Sequence, residues 1–188
     1  MYHRSLDLSH PVLWTVPDVL PPDLCAAYIA RIDAAAPEAA PITTGRGPVM
    51  RPDIRNNERV VFDDAAAAAD LLARVRGRVP TTLSGMRLCG ANERLRCYRY
   101  RQGQRFAPHF DGSFVRSPQE LSLVSFLVYL NDGFVGGETN FVEMGRTIVP
   151  VAGMALLFQH RVLHEGAEVK AGIKYVVRSD LMYRVVDA

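Results

Sequence analysis

The chain has 188 residues, 48% of them hydrophobic and 22% charged, with a formal net charge of +2. That length supports one good hydrophobic core and predicts a single domain. The near-neutral charge argues against nucleic acid as a partner, and no apolar run approaches the roughly 20 residues that span a bilayer. The N-terminal MYHRSLDLSHPVLW lacks the apolar stretch of a secretory signal. Cys25, Cys89 and Cys97 are odd in number and form no CxxC pair, which argues against a disulfide framework or a structural zinc site. Buried free thiols in a reducing cytoplasm are the expectation.

In chain order, the first third reads as helical support. Pro21-Pro22-Asp23 starts a helix through LCAAYIARIDAAA, which Pro37 stops. The Ala-, Gly- and Pro-rich stretch from Ala34 to Pro52 follows, with TTGRGP expected as a mobile loop. Arg59 to Phe62 predicts a short strand, and Asp63-Asp64 caps a second helix, AAAAADLLARVRGRV, ended by Pro80. From Leu88 onward the texture turns to short β-rich segments separated by glycine-containing turns: LRCYRYRQG, RFAPHFD, LSLVSFLVYLND, ETNFVE, RTIVPV, MALLFQH, HEGAEV and KYVVRSDLMYR. Many short strands at this spacing predict a sandwich or closed barrel. The expected architecture is mainly β with supporting α-helices, residues 1–87 buttressing a β-sandwich of residues 88–188.

One segment of that β region, RFAPHFDGSF, carries His109 and Asp111 two residues apart. In a strand they share a face, roughly 7 Å apart at their Cα atoms, as two ligands of one metal would. A third ligand must come from elsewhere. His3 and His10 lie in an N-terminal stretch expected to be loose, which leaves His160 and His164 of QHRVLHEG. Their spacing is that of HExxH zinc proteases, but Arg161 stands where the glutamate is required, and the flanking β-rich sequence does not supply the helix. Two histidines and one carboxylate form a three-point face that leaves metal positions open, the donor set of non-haem iron(II) oxygenases.

Taken together, the motifs resemble the 2-oxoglutarate- and iron(II)-dependent oxygenases, in the branch that includes the prolyl 4-hydroxylases. YRQGQRFAPHFD is similar to that family's Tyr-x-x-Gly-Gln-x-aromatic-x-Pro-His-x-Asp, and FLVYLNDGFVGGETNF to its core strand and Gly-Gly-Glu-Thr turn. MALLF precedes a distal histidine, and a lysine follows that histidine by ten residues. The similarity spans about Leu88 to Arg184, and IRNNERV, read as a strand leading into the core, extends it to Ile54.

The resemblance implies a double-stranded β-helix (jelly roll) with His109, Asp111 and His164 as iron ligands, His164 being chosen over His160 because it sets Lys174 at the family spacing. It implies Lys174 as partner of the distal carboxylate of 2-oxoglutarate, with Thr139, Tyr100 and Tyr129 as hydrogen-bond donors to it. Such pairing is physically required, since an unpaired charge buried in a barrel is very costly. Arg178 is placed to reach the co-substrate or to seal the site in an ion pair with Asp180. Fe(II), 2-oxoglutarate and O2, with ascorbate as a stimulant, are the implied cofactors, and hydroxylation with release of succinate and CO2 is the implied reaction. Phe106, Gly136 and Gly137 read as structural, a core aromatic and a turn with unusual backbone angles.

Strand parity bears on the substrate. If Tyr100 points inward, so do Tyr98, Arg96 and Arg94, while Leu95 and Cys97 face the helices. With Arg55, Asn56 and Asn57 on the leading strand, Arg96 and Tyr98 predict a polar, cationic mouth and a small-molecule or peptide substrate bearing an anion. Ser122 and Asp180 stand where collagen-type enzymes carry a substrate-facing Arg and Trp, which argues against peptidyl-proline. Two other readings fit parts of this pattern: a non-catalytic metal- or ligand-binding barrel, and a zinc hydrolase of related shape.

Overall fold

A computed structural model describes residues 6–185. Its main sheet runs antiparallel in the order Leu13–Val16, Ala155–Gln159, Glu120–Tyr129, Lys174–Val185, Arg94–Tyr100, Glu58–Asp63 and Glu38–Ala39. Met86–Ala91 pairs with the second half of Lys174–Val185. A smaller sheet, Arg146–Ile148, Thr139–Phe141, His164–Gly166 and Phe106–His109, faces it. This is the sandwich that the β-rich segments predict, in the jelly-roll form that the family resemblance implies.

The two cores follow from alternation along these strands. Leu95, Cys97, Val124, Phe126, Val128 and Val177 point to one face of the main sheet, where the helices cover them. Helix Pro22–Ala34 buries Cys25 and Ile32 there. Helix Ala65–Val75 buries Ala68, Leu71, Leu72 and Val75, an i, i+3, i+4, i+7 stripe. Asp64 caps the second helix by accepting from the Ala67 N–H at 3.0 Å. On the opposite face Tyr98, Tyr100, Tyr129, Leu156, Phe158 and Val176 pack toward the smaller sheet, and the functional side chains lie there. Among the described residues no helix is long and apolar enough to cross a membrane.

Several expectations are corrected. TTGRGP is not a loose loop but a hairpin, Ile42–Thr44 paired with Gly47–Val49. Thr44 Oγ1 locks its turn by donating to the Gly47 carbonyl at 2.8 Å and accepting from the Arg46 N–H, while Gly47 takes the positive φ the turn needs. Arg55, Asn56 and Asn57 precede the strand Glu58–Asp63 rather than lying on it, and Arg55 makes only a single bridge to Phe106. The N-terminal stretch around His10 is tied down. Asp7 accepts from the Ser84 N–H at 2.8 Å, and Gln159 brackets the Asp7 backbone. Leu13–Val16 then joins the main sheet. His3 lies outside the described residues. Cys25 and Cys97 are buried free thiols, as expected, but Cys89 is exposed.

Candidate active site

Register alone assembles the site. On the smaller sheet His164 sits directly opposite His109, and Gly166 lies between Thr139 and Phe106. On the main sheet Lys174 is opposite Tyr100, Val176 opposite Tyr98, and Arg178 opposite Arg96. The next strand adds Tyr129 beside Val176, Leu127 beside Arg178 and Ser125 beside Asp180. The facing rows enclose a narrow inner cavity lined by Tyr100, Thr139, His164, Lys174, Leu127 and Val176, among others.

Between the sheets, ligand atoms of His109, Asp111 and His164 lie within 4.8 Å of one another, a spacing one ion can bridge. Their chemistry fits a divalent metal. Each histidine has its Nδ1 on a backbone carbonyl at 2.9 Å, Ala107 O for His109 and Val162 O for His164. A Nδ1–H donated there leaves Nε2 with a free lone pair, and both Nε2 atoms face Asp111, at 3.7 and 3.6 Å. Burial, reinforced by the other histidine, pushes His109 down to about 3, and burial lowers His164 as well. Both rings are therefore neutral. For Asp111 burial works against ionisation, but the Arg178 guanidinium and the neighbouring histidines outweigh it and hold the carboxyl well below its ordinary range.

The carboxylate is held from behind at both oxygens. Arg178 donates to Oδ1 at 2.8 Å and Ser125 Oγ donates to Oδ2 at 2.6 Å. Asp180, fully buried, takes the remaining charge of Arg178 at 3.1 Å and that of Arg96 at 2.9 Å. Ser125 also contacts His160 Nδ1 at 3.1 Å, whose Nε2 meets Ser122 Oγ at 2.9 Å. His160 therefore has both ring nitrogens engaged by hydroxyls and stands outside the metal-competent group. Arg161, at φ 74°, forms the turn between His160 and the strand of His164, so the helix of a zinc protease is absent here. Ser125→Ala is expected to lower divalent-metal affinity about 10- to 100-fold, the usual effect of losing a partner of a metal-binding carboxylate. Titration with Mn(II) measures it, and wild-type affinity in the variant would remove Ser125 from this role.

Lys174 is buried, and its Nζ donates to the Gly137 carbonyl at 2.6 Å. It lies 5.2 and 5.3 Å from the ring centroids of Tyr100 and Tyr129 and has no carboxylate partner among the described residues. Burial pushes its ammonium down to about 7, opposed by Glu138. A buried cation that no carboxylate pairs with, facing a cavity, awaits an anion. Gly137 makes this geometry possible. At φ 70° it turns its carbonyl to the lysine, and a Cβ there would stand 3.3 Å from Lys174 Cδ and 3.1 Å from Val169 Cγ2. Tyr129 and Thr139 share a hydroxyl hydrogen bond of 2.6 Å beside it. Arg178 lines this cavity too, though its guanidinium is engaged by Asp111 and Asp180.

Beyond the histidines an outer cavity of about 620 Å³ opens, lined by Arg55, Arg59, Arg96, Tyr98, Phe106, Phe110 and Arg178 among others. Arg96 and Tyr98 are where strand parity puts them. Asn57 does not line the cavity; it is fully buried and accepts from Arg55 Nε at 2.7 Å. Asn56 instead braces the Gly103–Arg105 turn. Ser122 and Asp180 are fully buried and not part of the cavity wall, so they carry no argument about peptidyl-proline. Phe106 is more than a core aromatic, because its ring stacks on His109 at 3.5 Å between centroids and lines both cavities. Sequence reasoning missed Ser125 and Arg59. A serine on the parity of Tyr129 in the apolar run LSLVSFLVYL was the available signal for Ser125.

With this geometry in hand, comparison with known proteins is direct. Residues 95–179 match the model of the 2OG-Fe(II) oxygenase superfamily. A sequence search of curated proteins returns no match. Among solved structures, the fold is similar to a viral collagen prolyl hydroxylase from Paramecium Bursaria Chlorella virus-1, at 19% identity and TM-score 0.68 over 95% of this chain and 98% of that one. A Pseudomonas putida prolyl-4-hydroxylase matches at 21% identity and TM-score 0.65, covering 96% of each chain. A prolyl hydroxylase from Trichoplax adhaerens, in complex with a hypoxia inducible factor peptide fragment, matches at 17% identity and TM-score 0.69, over 95% of this chain and 86% of that one. The fold is thus that of the prolyl 4-hydroxylase-like branch. Residues 95–179, which carry His109, Asp111, His164 and Lys174, are similar to the 2OG-Fe(II) oxygenase superfamily, and the fold around them is similar to that of these prolyl hydroxylases.

Proposed function

We propose that the protein is a hydroxylase in which His109, Asp111 and His164 hold Fe(II) and Lys174 receives the far carboxylate of 2-oxoglutarate, with succinate and CO2 as co-products. The observation that carries this reading is a pair of complementary features in one cavity. Two neutral histidines and an ionised aspartate present free lone pairs, and a buried, unpaired ammonium lies across the cavity from them. When bound, Fe(II), 2-oxoglutarate and O2 together supply the oxidising chemistry that protein side chains lack.

The chain's own residues bind, orient and exclude water. Lys174 neutralises the co-substrate's distal charge, and the Tyr129–Thr139 hydroxyl pair offers hydrogen bonds beside it. Leu127 and Val176 make the wall apolar, which strengthens that ion pair by keeping water out. Ser125 and Arg178 fix the Asp111 carboxylate. The outer cavity, about 620 Å³, falls within the usual size for a small-molecule or peptide-side-chain site.

Succinate formation in the presence of Fe(II), 2-oxoglutarate and a substrate extract, with and without O2, tests this. Turnover must need both iron and O2. Activity supported by zinc without O2 would favour a hydrolase, and metal binding without any turnover would favour a binding barrel.

A pH dependence follows from Lys174. Its ammonium loses its proton above about 7 in the free protein, whereas the bound dicarboxylate needs it charged. Co-substrate affinity should thus be highest below that pH. It should weaken above it, by up to about tenfold per pH unit, with proton uptake on binding. Titrations of 2-oxoglutarate into Mn(II)-loaded protein from pH 6 to 9 read this directly, and affinity that does not fall with pH would contradict it.

A further inference from the structure

The outer cavity contains four arginines, and only two of them have a carboxylate. Arg178 is paired with Asp111 and Asp180, and Arg96 with Asp180. Arg55 is buried, 6% exposed, yet it bonds no carboxylate: its partners are the neutral Asn57 side chain, the Tyr98 phenol and, at 3.5 Å, the Pro41 carbonyl. Its guanidinium carbon lies 4.4 Å from the Phe106 ring centroid and 4.7 Å from that of Tyr98. The Arg59 side chain, directly opposite Tyr98 across the strands, makes no hydrogen bond or ion pair among the described residues. The nearby acids are committed elsewhere: Glu58 to Arg99 and Arg101, and Asp63 to Arg94.

Two positive charges are therefore left uncompensated on one wall, one of them buried. The local field shows it. Burial pushes the Arg59 guanidinium down, the Tyr98 phenol opposes this, and Arg55, Arg96 and Arg94 push it further down. Burial would raise the Tyr98 phenol, but Arg55, Arg178 and Arg96 bring it below its ordinary value. Holding such a wall without a counter-ion is unfavourable unless a ligand supplies one.

We propose that Arg55 and Arg59 form an oxyanion subsite that selects an anionic substrate, a carboxylate or a phosphate ester, in the outer cavity. Arg59 offers an unused planar fork, suited to bidentate pairing with such a group. Arg55 and His109 both contact the Phe106 ring, so the anion and the oxidisable C–H bond belong to one compact substrate. The apolar Ile42, Ile54, Phe110 and Phe114 surround the carbon portion between them. The orientation of that carbon portion toward the metal rests on the assignment of His109, Asp111 and His164 above.

The test uses three probes with one body and different heads: 4-phenylbutanoate, 4-phenylbutyl phosphate and 4-phenylbutanamide. Binding is measured by calorimetry on protein loaded with Mn(II) and saturating 2-oxoglutarate, so that Lys174 is already occupied. One of the two anions should bind at least about tenfold tighter than the amide, the ratio expected for a charge-assisted hydrogen bond. Which anion wins identifies the head group. Arg59→Gln and Arg55→Gln should each collapse that ratio toward one, and Arg59→Lys should retain part of it. Arg59 is half-buried and its side chain holds no hydrogen bond or ion pair among the described residues, so its variants keep the test valid if Arg55→Gln disturbs packing. Equal binding of all three probes to the wild type, or a ratio unchanged in both Gln variants, would overturn the subsite. If the anion preference holds and depends on Arg59 while the wild type never forms succinate, the catalytic reading fails and the subsite stands.

Discussion

Asp111→Ala is expected to abolish iron-dependent succinate formation and high-affinity metal binding while leaving the protein folded. Asp111 is the only anionic donor of the three-point face, and two neutral histidines alone lose both the charge and one attachment point. The fold should survive because the positive charge behind the aspartate is not orphaned. Removing one member of a buried ion pair usually costs about 3–5 kcal/mol, since the other charge is left alone. Here Arg178 keeps Asp180 at 3.1 Å, and Asp180 is relieved of a neighbouring negative charge. A destabilisation of about 1 kcal/mol, ordinary for a point substitution, is the expectation. Chemical denaturation of the metal-free proteins measures it, and Mn(II) titration measures the loss of binding. A variant with wild-type metal affinity and turnover would refute the ligand assignment.

Lys174→Ala should weaken 2-oxoglutarate binding roughly 10- to 150-fold, corresponding to about 1.5–3 kcal/mol for a charge-assisted hydrogen bond. Metal affinity should hardly move, because Lys174 touches no member of the triad and its one hydrogen bond goes to Gly137. Direct titration of the co-substrate separates the two effects. Unchanged co-substrate affinity would shift the anchor to Arg178, which lines the same cavity and has a buried Nε with no acceptor.

Much of this was legible in the sequence because alternation is a local rule. The runs RLRCYRY, LSLVSFLVYL and KYVVRSD each separate a helix-facing set from a cavity-facing set, and the structure keeps that division. The inward placement of Tyr100, Tyr98 and Arg96 therefore needed only parity. Parity fails where the ladder is interrupted. A register shift between Ser122 and Val124 puts Ser122 in the same hydrogen-bonded group as Ser125, so its role could not be counted off from Tyr129. Arg55 was placed on a strand because IRNNERV reads as continuous, but the ladder begins only at Glu58. Phe106 looked like core because nothing in its own neighbourhood reveals the imidazole stacked on it. The hairpin at Ile42–Val49 was hidden by a composition that also suits a loose loop. Its turn is held by one threonine hydroxyl and one glycine, not by an apolar pattern.

The limits of the main sheet have a consequence for the protein's behaviour at high concentration. An unpaired strand edge is a template on which another chain can add, and long flat edges invite fibre-like association. Here the main run of the sheet ends on one side at the four-residue strand Leu13–Val16 and on the other at the two-residue strand Glu38–Ala39. Pro11 and Pro17 stand just outside the first, removing backbone donors at both ends, so an incoming strand would find a very short run to pair with. The apolar LWTV segment, the stretch of the N-terminus most prone to stick, is thereby used to close a sheet while offering little to a neighbour.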